Sequence, residues 1–140
     1  MTNKRGKLRL LLLIGLVAAS YPTFVLTYTW FHVLKSDLPG GRHGPLDAYR
    51  HTLASAVVAY TLNQDTVHVV NKFMEQRGKR SNAMDTHNNL IGASIGAQSM
   101  RFDDIEPTVK AAVSAGAVHA AQSGQVTWLE PEEWQVGKLH

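Results

Sequence analysis

Two short clusters of polar residues interrupt otherwise apolar stretches of this chain, and their residue types suit acid–base chemistry. The first cluster is Asp47-Ala48-Tyr49-Arg50-His51. Asp47 lies three residues before Arg50 and four before His51, so the three side chains share one face of a helix. A carboxylate can orient an imidazole that takes a proton, and a guanidinium stabilises developing negative charge. This spacing predicts a general acid–base site at Asp47, Arg50 and His51.

The second cluster is the run M-D-T-H-N-N-L-I-G over residues 84–92. Asparagine is a poor helix former, so paired asparagines inside a helix usually make specific hydrogen bonds. We predict that this cluster contributes further groups to the same site. Those groups are Asp85, Asn88 and Asn89, which share one face of the predicted helix.

Gly92 and Gly96 lie four residues apart on the helix that carries the second cluster. Glycine has no side chain, so this spacing allows another helix to approach closely along one face. If that partner is the helix of the first cluster, the two clusters meet.

Three other interpretations of these residues remain open. Asp47, His51, Asp85 and His87 offer the hard oxygen and imidazole ligands that a divalent metal prefers, although no tight motif such as H-E-x-x-H is present. The clusters could also form a small polar ligand pocket without turnover. Finally, Arg50 could pair with Asp85 between helices, in a buried polar network that only fixes helix register.

The two clusters resemble a family of uncharacterised small bacterial domains with the pattern D-A-x-R-H, A-H-E, M-D-x-H-N-N-x-x-G and a G-x-L-x-x-L-like ending. The matching segments are D-A-Y-R-H at 47–51, M-D-T-H-N-N-L-I-G at 84–92 and G-Q-V-T-W-L at 124–129, so the likeness covers about residues 45–129. At 73–75 this chain has F-M-E, which keeps the acid and loses the histidine. The resemblance implies a helical fold and no particular reaction. It also implies a polar centre at Asp47, Arg50, His51, Glu75, Asp85, Asn88 and Asn89.

The N-terminal segment has the pattern of a membrane anchor. Leu10–Leu34 contains no formal charge and is long enough for a bilayer core of roughly 30 Å. The positive-inside rule then predicts a bacterial inner-membrane protein with a cytoplasmic N-terminus and the remainder in the periplasm or outside the cell. The basic residues that precede the run are Lys4, Arg5, Lys7 and Arg9, and the aromatic belt predicted near the outer interface is Tyr21, Tyr28, Trp30 and Phe31.

A cleaved signal peptide is the alternative to an anchor. Its basic region would end at Arg9, its apolar region would run from Leu10 to Leu16, and Val17-Ala18-Ala19 would supply the small residues for cleavage. Both alternatives export the folded domain.

Charge and cysteine content exclude several functions. The chain has 14 Lys and Arg against 11 Asp and Glu, but four of the basic residues precede the apolar run, so the remainder is close to neutral. We therefore expect no nucleic-acid partner. The absence of cysteine excludes a disulfide framework, a thiol nucleophile and thiolate-bound zinc.

Helical periodicity after the anchor predicts an all-α domain, a compact bundle of about four helices. We expect an anchor at 1–36, a linker at 37–44, the helical domain at 45–129 and a tail at 130–140. The four predicted helices run from Pro45 to Leu62, from Thr66 to about Gln76, from a cap at Ser81 or Asn82 to near Met100, and from Ile105 to Ser123.

Location suggests a function. A domain held close to a membrane reaches envelope lipid, peptidoglycan and envelope proteins, so we expect a hydrolase that acts on envelope material. The alternative is a non-enzymatic protein that binds an envelope partner and uses the polar cluster only as a helix–helix network. In that case the aromatic and acidic tail from Trp128 to Trp134 is the expected contact, unless Trp128 packs back on the bundle.

Overall fold

The computed structural model describes residues 4–75 and 80–138, and the side chains within 73–75 and 80–82 lie outside that description. Over these ranges the chain is mostly helical, which confirms the predicted class. The helices are α1 (Lys4–Lys35), α2 (Pro45–Thr61), α3 (Gln64–Glu75), α4 (Arg80–Gln98) and α5 (Ile105–Ser114). Two-residue strands β1 (Ala117–Val118) and β2 (Thr127–Trp128) pair in parallel, and short 3-10 turns lie at Phe102–Asp104, Ala121–Ser123 and Pro131–Glu133.

Local sequence explains where α2 and α3 begin. Pro45 occupies the first turn of α2, where its missing N–H has no intrahelical partner to lose. Asn63 precedes α3, and its Oδ1 accepts the Thr66 backbone N–H at 2.9 Å, which caps the helix. The predicted helix end near Gln76 lies outside the described residues. The side chains of Ser81 and Asn82, predicted to cap α4, also lie outside the description, and the backbone of both residues belongs to the helix, which is described from Arg80.

The prediction for the last helix was wrong at its C-terminal end. Helix α5 ends at Ser114 instead of continuing to Ser123. Beyond it, Gly116 lies so close to the backbone oxygen of Val126 and the ring of Trp128 that a side chain would not fit. The next two residues form β1 instead of a further helical turn, and they pair with β2.

Helices α2 and α4 pack in parallel at backbone contact. A methyl group on Gly92 would collide with the backbone oxygen of Thr52, and one on Gly96 would collide with that of Ala56. The second contact lies four residues after the first on both helices, so the helices run in the same direction. The N-terminal ends of α2 and α4 therefore lie side by side. The predicted close approach at the two glycines is confirmed, and its partner is the helix that carries the first polar cluster.

The C-terminal half of α1 belongs to the core of the folded domain. Val25, Thr29 and Val33 are buried against it. The Tyr21 hydroxyl lies 2.6 Å from the Thr61 hydroxyl at the end of α2. Three of the four residues of the predicted aromatic belt therefore contact the domain: Tyr21 near Thr61, Tyr28 with its ring centroid 5.0 Å from that of Phe102, and Trp30 beside Arg50.

The N-terminal half of α1 projects from the domain. Every residue from Lys4 to Ser20 is exposed, and α1 is long and apolar enough to span a membrane. Since Tyr21 meets the end of α2 and Trp30 its beginning, α1 and α2 are antiparallel. The exposed half of α1 thus extends past the C-terminal end of α2, and the two polar clusters lie at the opposite end of the domain.

The segment predicted to be a loose linker is held against the C-terminal tail. Gly40 and Gly44 pack on the indole of Trp134, where an added Cβ atom would lie in tight contact at 3.0–3.1 Å. The Trp134 Nε1–H donates to the Leu129 backbone oxygen at 2.7 Å, and the Leu129 N–H donates to that of His43 at 3.0 Å. Trp128 also packs on the core, so both tryptophans of the tail serve the fold.

We predict that Gly92→Ala destabilises the protein by on the order of 3 kcal/mol, because the helices must separate to admit a methyl group into a close-packed contact. The measurement is chemical unfolding of the full chain in detergent. Gly15→Ala is the matched control, since its position in α1 is open, and it should not lower stability. Equal effects of the two substitutions would contradict backbone contact between α2 and α4.

Candidate functional site

The first turns of α2 and α4 bring three predicted site residues together. His51 Nε2 lies 3.6 Å from Asp47 Oδ1 on the same helix and 3.6 Å from Asp85 Oδ2 on α4. Both distances exceed those of a good hydrogen bond, so the contact is electrostatic. The imidazole therefore lies between two carboxylates, one from each cluster.

Arg50 pairs with Asp47 of its own helix. The alternative suggested by the sequence, a pair between Arg50 and Asp85, does not form. Its Nη2 contacts Asp47 Oδ1 and lies 3.3 Å from His51 Nε2. The guanidinium carbon lies 5.5 Å from the ring centroid of Trp30 on α1, within cation–π range. Helix α1 thereby helps to position the cluster.

The cluster is neither closed nor fully paired. The Asp47 side chain is 2% exposed, and its Oδ2 accepts the His43 backbone N–H at 2.8 Å. Its Oδ1 is paired with the Arg50 guanidinium, whereas the buried Oδ1 of Asp85 has no hydrogen-bond partner among the described residues. His51 and Asp85 are each about one quarter exposed. Buried acceptors without hydrogen bonds cost stability, so a network selected only to hold the helices together would be expected to satisfy them.

Burial raises the pKa of the Asp85 carboxyl above its ordinary value. The Asp47 carboxylate acts in the same direction, whereas His51, His43 and Arg50 favour the charged form and oppose the shift. Asp85 is therefore a group whose proton is held more tightly in the fold than in water.

A separate chain of polar contacts lies one helical turn beyond His51 and joins α2, α3 and α4. The Ser55 hydroxyl donates to Asn89 Oδ1 at 3.0 Å, and Asn89 Nδ2 donates to Asn71 Oδ1 at 2.8 Å. The remaining Asn71 amide group, Nδ2, is buried and has no hydrogen-bond partner. Asn89 thus links Ser55 of α2 to Asn71 of α3, and its predicted part in a catalytic site stays a prediction.

Asn88 and His87 face away from this site. Asn88 is fully buried, and its amide pairs with the backbone of Thr127 in both directions, donating at 2.8 Å and accepting at 2.9 Å. His87 Nε2 lies 2.8 Å from the Gln125 backbone oxygen. Both residues tie α4 to the segment that includes β2, so the structure gives Asn88 a structural place and separates His87 from the carboxylates. The Glu75 side chain lies outside the described residues.

A groove of about 290 Å³ between α2, α3 and α4 begins at His51. Polar groups line one part of it and small apolar side chains line the rest. The lining residues are His51, Ser55, Asn71, Asn89, Ala54, Val58, Val67 and Val70.

Sequence reasoning missed three residues of this site. His43 was assigned to a linker, yet its backbone caps Asp47 and its buried Nδ1 has no hydrogen-bond partner. Asn71 lies on α3 outside both polar clusters. Ser55 follows His51 by one helical turn. This spacing is visible in the sequence, but it is too common to indicate a functional site.

The same residues also offer ligands for a cation. One ligand atom each from Asp47, His51 and Asp85 lies within 4.8 Å of the other two, a set that suits Zn²⁺ or Mn²⁺. However, the Arg50 guanidinium already neutralises the Asp47 oxygen that faces His51. This competition favours proton transfer over metal binding as the chemistry of the cluster.

No protein-family model, curated protein or solved structure matches this chain. The resemblance stated for the two polar clusters stays a prediction.

We predict that Asp85→Asn raises stability relative to the native chain at neutral pH. A carboxyl whose pKa is raised by folding contributes stability only below its unfolded pKa and loses that contribution as the pH rises through its folded pKa. The native chain should therefore lose stability relative to Asp85→Asn as the pH rises above about 4. The measurement is unfolding free energy against pH, and a difference that is constant with pH would contradict it.

We predict that Asn88→Ala lowers stability by about 2–4 kcal/mol, because the buried N–H and C=O of Thr127 both lose their partner. Chemical unfolding measures this. His87→Ala is the control from the neighbouring position, where the lost contact is exposed and should cost less than about 1 kcal/mol. A small effect of Asn88→Ala would mean that the amide is not a structural clamp.

Proposed function

We propose that this chain is a membrane-associated hydrolase in which His51 acts as the general base. The proposal depends on the surroundings of His51. Its imidazole lies between two carboxylates and also lines a groove that is open to ligands. A histidine that only fixed helix register would have no need of the groove. The Asp85 Oδ1 atom beside it, which has no hydrogen-bond partner among the described residues, fits a site that is completed by a substrate.

The mechanism follows from the orientation of the imidazole. Nε2 faces Asp47 and Asp85, so Nδ1 is the nitrogen left to exchange a proton with a water molecule in the groove. As the water oxygen attacks the acyl carbon of the substrate, its proton passes to His51. The proton then passes to the leaving group as the bond to that group breaks. The imidazolium formed between these two steps lies opposite both carboxylates, which stabilise its charge.

Helix α1 determines which substrates are within reach. The exposed uncharged residues from Leu10 to Ser20 cover about 16 Å at 1.5 Å per residue, which is shorter than a bilayer core of about 30 Å. The span must therefore include part of the half that packs on the domain, and this brings the C-terminal end of α2 to the membrane surface. With the basic residues before Leu10 on the cytoplasmic side, the domain lies outside the inner membrane, beside envelope lipid and cell wall.

We predict that His51→Ala lowers the rate of ester hydrolysis by 10²–10⁴-fold, the typical contribution of a general base. The measurement uses the full chain in detergent micelles with a panel of acyl esters and amides. His68→Ala is the matched control, since His68 is exposed on α3 away from the carboxylates and should leave the rate unchanged.

Removing metal ions with a chelator distinguishes proton transfer by His51 from metal-dependent hydrolysis. Proton transfer by His51 predicts an unchanged rate after dialysis against EDTA. Loss of turnover that Zn²⁺ or Mn²⁺ restores would instead assign Asp47, His51 and Asp85 to a metal. Absence of hydrolysis across the whole panel would favour the non-enzymatic envelope protein.

A further inference from the structure

The groove beside His51 changes character along its length. At one end, Asn71 and Asn89 are joined by a hydrogen bond across α3 and α4. Val58 lies seven residues beyond His51 on α2, about 10 Å further along the helix axis. Val67 at that end is buried and belongs to a cluster of apolar residues with Ala59 and Ala93. The groove is therefore polar at the His51 end and apolar at the other.

The polar end holds a hydrogen-bond donor without an acceptor. Asn71 is 4% exposed, and its Nδ2 has no hydrogen-bond partner among the described residues, although its Oδ1 is bound by Asn89. A buried amide donor without an acceptor lowers stability, and Asn71 belongs to the groove lining, so a ligand oxygen would satisfy this donor once the amide turns toward the groove. A ligand that fits both ends of the groove would carry a carbonyl oxygen as the acceptor and would be apolar elsewhere.

Size and charge narrow the ligand further. A methylene group fills slightly less than the ~30 Å³ of a water molecule, so 290 Å³ holds a chain of about ten of them. Asp85 and Asp47 flank the polar end, and together with Arg50 they leave it with one net negative charge when His51 is neutral. A free carboxylate would be repelled there, whereas a neutral ester carbonyl would not.

We propose that the groove binds the acyl chain of a lipid ester, with the ester carbonyl accepting a hydrogen bond from Asn71 and the chain lying along Val58, Val67 and Val70. The inference rests on the proposed hydrolytic function and names its substrate class. The direction of the groove agrees with the anchor, because its apolar end points toward the end of the domain from which α1 emerges. A lipid drawn from the outer leaflet then enters with its tail still directed to the bilayer and its ester beside His51.

The test uses the full chain in phosphatidylcholine nanodiscs and a methyl decanoate probe that carries a diazirine at the chain end. After illumination, mass spectrometry locates the adducts along the chain. We expect one set of adducts on α2 and α3 around Val58, Val67 and Val70, and a second set on the exposed half of α1 from probe dissolved in the bilayer. Adducts confined to α1 would overturn the proposal.

Two neighbouring residues give a matched pair of variants. Val70 lines the groove and Val69 does not, yet both are more than half exposed, so a carboxylate at either position is tolerated by the fold. Val70→Asp should reduce the groove adducts at least tenfold, because a charge in the groove excludes an apolar chain. Val69→Asp should leave them unchanged, and both variants should keep the adducts on α1. Equal labelling of the two variants would contradict the groove assignment.

Competition identifies the polar group that Asn71 binds. Unlabelled methyl decanoate should displace the probe about tenfold better than decyl methyl ether, which lacks the carbonyl acceptor. It should also displace the probe better than decanoate, whose charge the two carboxylates repel. Equal potency of ester and ether would refute the role of Asn71, and stronger competition by decanoate would assign the groove to free fatty acids.

His51→Ala separates this proposal from the proposed reaction. The substitution removes the base and leaves the apolar lining intact, so groove adducts should persist while hydrolysis is lost. Persistent adducts with no hydrolysis by the native chain would refute the reaction and retain the lipid site. Hydrolysis of esters without groove adducts would do the reverse.

Discussion

The contact between α2 and α4 is the constraint on which the rest of the structure depends. Gly92 and Gly96 allow the two helix backbones to touch, and the parallel arrangement places both N-terminal ends at one end of the domain. Because Asp47 and His51 lie in the first turns of α2 and Asp85 lies early in α4, backbone contact is what brings a carboxylate from each helix to the same imidazole. Small residues at a helix crossing thus determine where the polar groups meet.

Helix α1 packs directly beside this site and is also the helix that is long and apolar enough to span a membrane. One face of its C-terminal half is buried in the domain through Val25, Thr29 and Val33, and Trp30 lies beside Arg50. Its N-terminal half is exposed and apolar. The domain therefore has a fixed orientation relative to its anchor, and on our proposal the groove between α2, α3 and α4 has a fixed direction relative to the lipid.

Much of this arrangement was predictable from the sequence, for a physical reason. A helix repeats every 3.6 residues, so spacing alone places Asp47 and His51 on one face, and paired glycines indicate a close helix partner. The end of α5 was not predictable in this way, because an alanine-rich run continues to favour helix while a tertiary contact at Gly116 ends it. The sequence also does not show that only the C-terminal half of α1 packs on the domain, since contact with lipid and contact with protein both favour apolar residues.

Two residues of the site could not be found by pattern at all. His43 reaches the cluster because the 37–44 segment is folded against Trp134, which joins residues from opposite ends of the domain. Asn71 gains its importance from Asn89 on another helix, and only the relative placement of α3 and α4 shows that its Nδ2 has no partner. Such positions depend on long-range packing, which leaves no local periodicity.

We infer that His51 serves catalysis and does not stabilise the fold. The unfolding free energy of the full chain with the substitution His51→Ala tests this most directly. Asp47 is less suitable, because its Oδ2 also holds the His43 backbone. Our account predicts stability within about 1 kcal/mol of the native chain or above it, since functional polar groups are often retained at a cost to stability. A loss of about 3 kcal/mol or more would contradict it, because that is the result of removing one partner from a buried structural network.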